Sequence, residues 1–405
     1  MIHLQHNLIS ADDHVMEHPA VWTSRLSQAK FGDRIPQVRK EKDGTERWFV
    51  DNKPLSLQGA SSPGVAAVGG AMPDVSMEPQ TWAQVPKSTY VPSERLKAMD
   101  IDGVDMSVLY PTIAGLAGET FGSIPDPELE IACVRAYNDF LIDEWAKTSS
   151  RFLPLCIVPI SSMEATIAEL ERAVKKGAVG VAFPSIPWHL RDVPHINEPY
   201  WDTLWNSCEE LHLPLSFHAG ASPKTQMTPA PGLTPEMVSA FKDATRALST
   251  GTLLPNLLMS GILERHPHLK IVFAESSLTL ATYVLEFTDH GMERQRKNLE
   301  GHPVWGSELF RRHCYLTGSW DVMGVKTRRY TGTDGMLWSS NYPLANSTFP
   351  KTQTYIERAF AEAEVPKDEQ TQLRWGNAAR LYRVVAGAKP GLSSRVIPFK
   401  GYAVG

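Results

Sequence analysis

The 405-residue chain is 42% hydrophobic and 21% charged, an ordinary balance for a globular protein able to bury a large core. A formal net charge of −5 gives no electrostatic case for nucleic acid or an anionic membrane as partner, and no 18-residue apolar stretch could span a bilayer. The four cysteines, Cys133, Cys156, Cys208 and Cys314, form no C-x-x-C pair and no signal peptide is readable, so reduced, buried thiols in a cytoplasmic protein are expected.

Short apolar runs alternate with longer segments of helical period. The first candidate strand, Asn7–His14, ends in Ser10-Ala11-Asp12-Asp13-His14. The stretch 26–93 that follows is far longer than an ordinary βα loop. Within it, Val38–Lys42 and Glu46–Asp51 flank Asp43-Gly44, a two-residue hairpin signal, and Gly59–Gly70 is rich in small residues. Leaving the C-terminal end of strand one, this insertion should lie over the mouth of the fold as a lid or a dimer arm.

Further strands are expected at Gly103–Tyr110, Phe152–Pro159, Ala178–Pro184, Leu213–His218, Lys270–Glu275, His313–Thr317 and Gly335–Asn341, making eight. Amphipathic helices fall between them. Glu128–Thr148 carries Ile131, Val134, Tyr137, Leu141 and Trp145 at helical spacing, behind an Asp126 N-cap and Pro127. Ser162–Lys176 ends at Gly177, a C-terminal cap, and Trp201–Leu211, Leu253–Glu264, Thr352–Ala363 and Asp368–Val384 complete the set. Strands apolar on both faces and separated by helices mean a parallel sheet. Eight such units fit a closed (β/α)8 TIM barrel, one domain over 1–390, better than a doubly wound sheet. No glycine fingerprint follows strand one, which argues against a Rossmann fold. The tail 391–405 reads as extended and long enough to cross a neighbouring subunit.

The chemistry sits at strand ends. Asp12 and His14, two apart on a strand, point to one face and could share an ion. An imidazole nitrogen with a carboxylate oxygen suits Zn, Fe or Mn, although a turn-capping aspartate would look the same. His218 closes the run Leu213–Phe217 and precedes small residues; alone it would read as a satisfied core histidine, but beside Asp12 and His14 it reads as a ligand. Glu275 follows Ile271-Val-Phe-Ala, where an acid needs a cation, a donor or a helix start to justify burial; it is expected as a further metal ligand and, with His218, as a catalytic residue. Asn341 ends the eighth run. Its amide oxygen can ligate a metal weakly but cannot take a proton, so hydrolysis by metal-activated water lacks its base there, unless Glu275 substitutes. In the loops on the same side, His189, Arg191 and Tyr342 are the expected substrate contacts. Arg191 and Lys224 could hold a carboxylate, or simply be exposed.

At these residues the chain resembles the amidohydrolase-related branch of the amidohydrolase superfamily, which includes aminocarboxymuconate-semialdehyde decarboxylase and resorcylate-type decarboxylases. The landmarks span nearly the whole chain: Ser10-Ala-Asp-Asp-His-Val-Met-Glu17, Arg95-Leu-x-x-Met-Asp-x-Asp-Gly-Val104, Ala136-Tyr-Asn-Asp139, Phe217-His-Ala-Gly220, Val272-Phe-Ala-Glu-Ser276, Ser340-Asn-Tyr-Pro343 and Asn377-Ala-Ala-Arg-Leu-Tyr382. The resemblance implies a divalent metal, zinc first with iron or manganese as alternatives, held by Asp12, His14, His218 and the position of Asn341. Relatives usually read Ser-Asp-Tyr-Pro-His where this chain reads Ser340-Asn341-Tyr342-Pro343-Leu344, and many carry tryptophan at the place of Leu280. Three functions follow, in this order. The first is a metal-dependent decarboxylase or hydrolase of a small carboxylated substrate. The second is a non-haem iron monooxygenase, with one iron or two, using Asp12, Asp13, His14, His218 and Glu275. The third is a non-catalytic subunit paired with an active homologue. The expected assembly is a homodimer or a hetero-oligomer with a homologous subunit.

Overall fold

The computed structural model describes residues 5–58, 60, 64–75, 77–221, 229–299 and 304–384. All eight expected strands form, most of them shorter than expected and the seventh shifted one residue along: β1 (Ile9–His14), β2 (Met106–Tyr110), β3 (Phe152–Ile157), β4 (Gly180–Ala182), β5 (Leu215–His218), β6 (Ile271–Ala274), β7 (Cys314–Gly318) and β8 (Met336–Trp338). They pair in that order, and every pairing is parallel. Closure between β8 and β1 runs through the segment just past β8. The Asn341 N–H donates to the Asp12 carbonyl at 3.0 Å and the His14 N–H to the Tyr342 carbonyl at 2.8 Å. The result is a (β/α)8 barrel whose strands are buried almost throughout, which is why they read as continuous apolar runs.

The caps fall where the residue types place them. Asp126 accepts from the Glu128 N–H, Ser162 from the Ala165 N–H, and Gly177 takes a φ of +127° after the helix Met163–Lys176. Helices that read as unbroken are interrupted. The segment Glu128–Thr148 is an α-helix to Phe140 and then a π-helical stretch, Leu141–Ala146. The run Leu253–Glu264 breaks at Ser260-Gly261 into Leu253–Met259 and Ile262–Arg265, with Gly261 at φ +77°. Asp368–Val384 divides around a second π-helical stretch, Gln372–Gly376.

The insertion forms a small antiparallel sheet, Gln37–Lys40, Glu46–Val50 and the short Lys53–Pro54, with Gly44 at φ +90° in the hairpin turn. Trp48 anchors it, buried edge-on against Trp22. Val65–Val68 are buried too, and the Gly70 N–H donates to the Pro343 carbonyl at 3.0 Å, so this part of the insertion packs on the loop beyond β8. A Cβ at Gly70 would run into the Leu344 carbonyl; only glycine fits that approach. The tail 391–405 and Lys224 lie outside the described residues.

Candidate metal centre

Strand alternation carries Asp12 and His14 into the barrel from β1, and His218 meets them from the end of β5. Their ligating atoms lie within 4.8 Å of one another, and all three residues are buried. The two Nε2 atoms are 3.1 Å apart, and Asp12 Oδ1 stands 3.3 Å from that of His218 and 3.5 Å from that of His14. Each imidazole is turned by a carbonyl behind it. His14 Nδ1 bonds the Pro111 oxygen at 2.9 Å and His218 Nδ1 the Ala219 oxygen at 2.7 Å. A carbonyl only accepts, so both Nδ1 atoms carry the proton and both Nε2 lone pairs face inward. Two lone pairs and a carboxylate at this range need a positive charge between them. A proton or a metal ion would serve.

The electrostatics agree. Burial opposes ionisation of Asp12, yet the two imidazoles hold its carboxyl below the usual carboxylate range. Burial would likewise lower the His218 pKa, but the carboxylates of Asp12 and Glu275 push it up to about 9. Asp12 Oδ2 is steadied by the Thr317 hydroxyl at 3.2 Å, while Oδ1 has no hydrogen bond among the described residues. Orientation of each imidazole through its second nitrogen, with an orphaned carboxylate oxygen beside it, is what metal sites require. The residues therefore fit a divalent cation, with Asp12, His14 and His218 to hold it.

A second cluster occupies the ends of β6 and β8. Glu275 and Asn341 both adopt left-handed backbone, at φ +54° and +57°, an uncommon conformation that for glutamate carries strain. The Glu275 carboxylate meets the Arg246 guanidinium at 3.1 Å, accepts from Asn341 Nδ2 at 2.8 Å and accepts again from Asn346 Nδ2. Its Oε2 lies 3.8 Å from His218 Nδ1, the nitrogen turned away from the triad. Glu275 thus falls outside the three-ligand cluster where it was expected as a ligand. Asn341 Nδ2 also donates to Asn346 Oδ1 at 2.7 Å, leaving the buried Asn341 Oδ1 without a hydrogen bond among the described residues.

Residues 82–384, three quarters of the chain, match the family described as Amidohydrolase. The chain belongs to the amidohydrolase family. A γ-resorcylate decarboxylase of Rhizobium sp. (strain MTP-10005) is 27% identical over 302 residues, 72% of this chain and 86% of the relative. Among solved structures, an amidohydrolase of Mycobacterium avium subsp. paratuberculosis K-10 superposes with a TM-score of 0.70 at 16% identity, covering 94% of this chain and all of that one. A dihydroxybenzoic acid decarboxylase of Polaromonas sp. JS666, solved with manganese and 2-nitroresorcinol, gives a TM-score of 0.55 at 20% identity over 75% of this chain and 89% of that one.

Several expected substrate contacts of this amidohydrolase already have partners within the protein. Arg191 is pinned by the fully buried Glu130 at 3.0 Å and by the Ile124 carbonyl. The Tyr342 hydroxyl pairs with Ser88 at 2.6 Å, and its ring lies under the Arg95 guanidinium at 4.6 Å and against Phe349. His189 is exposed, edge-on to Trp188. None of the three joins the triad. Asp13, counted toward a dinuclear iron site, accepts from the hydroxyls of Ser10, Ser107 and Ser340 and from the Tyr342 N–H, so its oxygens are already used. Sequence reasoning missed Arg246. It ends the helix Pro235–Arg246, whose N-terminal Thr234-Pro235 signal was readable, although none of that helix's residues is buried.

Proposed function

We propose that this chain is a metal-dependent decarboxylase acting on a small aromatic acid that carries a hydroxyl next to its carboxylate. The single observation that carries the reading is the triad: one carboxylate oxygen and two Nε2 lone pairs around one cation-sized point, at the strand ends where TIM barrels build their sites. The names of its relatives support the substrate class. They include decarboxylases of γ-resorcylate, 2,6-dihydroxybenzoate and 5-carboxyvanillate.

A divalent ion held by Asp12, His14 and His218 would supply a fixed positive charge for the oxygens of an anionic substrate. Manganese, present in the Polaromonas relative, and zinc both suit this nitrogen–oxygen donor set. Decarboxylation exchanges a C–CO2⁻ bond for C–H, so the protein must deliver a proton. Glu275 is the carboxyl we assign to carry it, held in place by Arg246, Asn341 and Asn346 rather than by the triad. Hydrolysis asks more, because it needs a base for metal-bound water, and Asn341 cannot be one. The buried edge of the Arg246 guanidinium has Nε without a hydrogen bond among the described residues, and we assign it to the substrate carboxylate.

The test is metal analysis of the purified protein, followed by turnover of 2,6-dihydroxybenzoate and related hydroxybenzoates with Mn²⁺ or Zn²⁺. One ion per chain with release of CO2 is the expected result. A protein that retains no metal would move the non-catalytic subunit, the third of the three readings, to first place.

A further inference from the structure

We propose that Glu17 is a positioning residue of the metal centre, acting on His14 through a single peptide plane. Glu17 is completely buried, three residues beyond His14. Its Oε1 accepts from the Thr112 N–H at 3.2 Å and the Ala114 N–H at 3.4 Å, and its Oε2 from the Ile113 N–H at 2.9 Å. The Thr112 N–H and the Pro111 carbonyl are two ends of one planar, rigid unit. That carbonyl is the acceptor for His14 Nδ1 at 2.9 Å. The order is therefore carboxylate, N–H, C=O, imidazole Nδ1–H, and the Nε2 lone pair at the far end.

Two effects follow. An anion on the N–H end polarises the amide, making its carbonyl a better acceptor and the imidazole a stronger donor at Nε2. The same carboxylate fixes the orientation of the plane, and with it the ring. Thr112 Oγ1, bonded to the Val15 carbonyl at 2.8 Å, ties this part of the loop back to the β1 segment. His218 has no such device: its Nδ1 bonds the carbonyl of the very next residue, Ala219. Burial pushes the Glu17 carboxyl up to about 7, partly offset by the three N–H donors, so measurements belong at pH 8, where it is ionised.

Glu119 provides the control. It is buried in the same segment and accepts from the Leu116 and Ala117 N–H groups at 2.9 and 2.8 Å, but touches neither the Pro111–Thr112 peptide nor His14, and acts on the triad through space, by its charge on His218. Zn²⁺ affinity is read by competition with a chelator, with melting temperature alongside. Glu17→Gln is expected to lose about 10-fold or more in Zn²⁺ affinity, the range of losses seen when partners behind metal-bound histidines are removed. Glu119→Gln should lower the melting temperature comparably and leave affinity within about 2-fold, and Glu17→Asp should fall between wild type and Glu17→Gln. Equal affinity losses for Glu17→Gln and Glu119→Gln, or an unchanged affinity in Glu17→Gln, would overturn the proposal. Should the variants not fold, ¹⁵N-histidine NMR of the unmodified protein still decides: His14 must carry its proton on Nδ1, slow to exchange, and an Nε2–H tautomer ends the argument. The inference rests on the triad holding a metal, so a wild type that binds no Zn²⁺ would overturn the functional reading and this one together, whereas equal affinity losses in Glu17→Gln and Glu119→Gln would overturn this one alone.

Discussion

The two sides of the barrel mouth are built from similar residues to opposite ends. Around β1 and β5, the atoms that face inward have only one another: the Nε2 atoms of His14 and His218 lie 3.1 Å apart, and Asp12 Oδ1 has no hydrogen bond among the described residues. Around β6 and β8, the carboxylate is saturated, with Glu275 taking a guanidinium and two amides. Leaving buried donors and acceptors unmade is expensive, on the order of 1–3 kcal/mol each. A fold tolerates this where something else completes the set. The unpaired side is thus the one built to bind, and the paired side the one built to hold a group still.

Removing a ligand from the unpaired side should have the largest effect. His218→Ala takes away one Nε2 and leaves Asp12 with one imidazole. Metal content after dialysis should drop to background, a loss of at least about 100-fold in affinity, with the circular dichroism spectrum unchanged. Metal retained in full would mean that the site is drawn in the wrong place. On the paired side, Glu275→Gln removes the carboxyl assigned to proton delivery and sets an amide against Asn341 and Asn346. Turnover should fall about 100-fold or more while metal content holds. Parallel loss of metal would move Glu275 into the ligand set and erase the contrast between the two sides.

The contrast was half legible in the sequence. Asp12, His14 and His218 were readable because each ends an apolar run on a buried strand, and the alternation of a strand fixes which residues share a face. Arg246 was not, because the helix that carries it buries none of its residues and so left little packing signal. The partner of Arg191 was hidden for a different reason: a cation in a mouth loop looks the same whether its carboxylate belongs to a substrate or to Glu130, 61 residues away. Glu17 stood in a quoted motif, but its partners are backbone amides about a hundred positions along the chain, and amides have no residue type to recognise.

Asn341 lies on the boundary between the sides, since its Nδ2 belongs to the paired cluster and its Oδ1 has no hydrogen bond. Asn341→Asp would trade the donor for a second anion, 2.8 Å from Glu275 Oε1. If the side chain reaches the ion, metal affinity should rise several-fold, because a carboxylate outbinds an amide, while repulsion from Glu275 loosens the cluster and slows turnover. Metal content and activity both unchanged would remove Asn341 from the site altogether.

Arg191 sets the lower limit of the series. Its guanidinium is 17% exposed, and its partner Glu130 is fully buried, with Glu130 Oε1 also accepting from the Ile160 N–H at 2.7 Å. Arg191→Ala would strand a buried carboxyl that burial already pushes above its ordinary pKa. Breaking such a pair costs about 3 kcal/mol, because the remaining charge has lost its counter-charge and cannot reach water. Arg191 makes no contact with the triad or with Glu275, so KM and kcat of the folded variant should stay within about 2-fold of wild type, little beyond the effect of an ordinary surface substitution. The decisive readout is the pair of measurements taken together. A lower melting temperature with KM intact places Arg191 in the scaffold, whereas a raised KM at unchanged stability would make it the substrate's cation and shift the binding face toward the loop after β4.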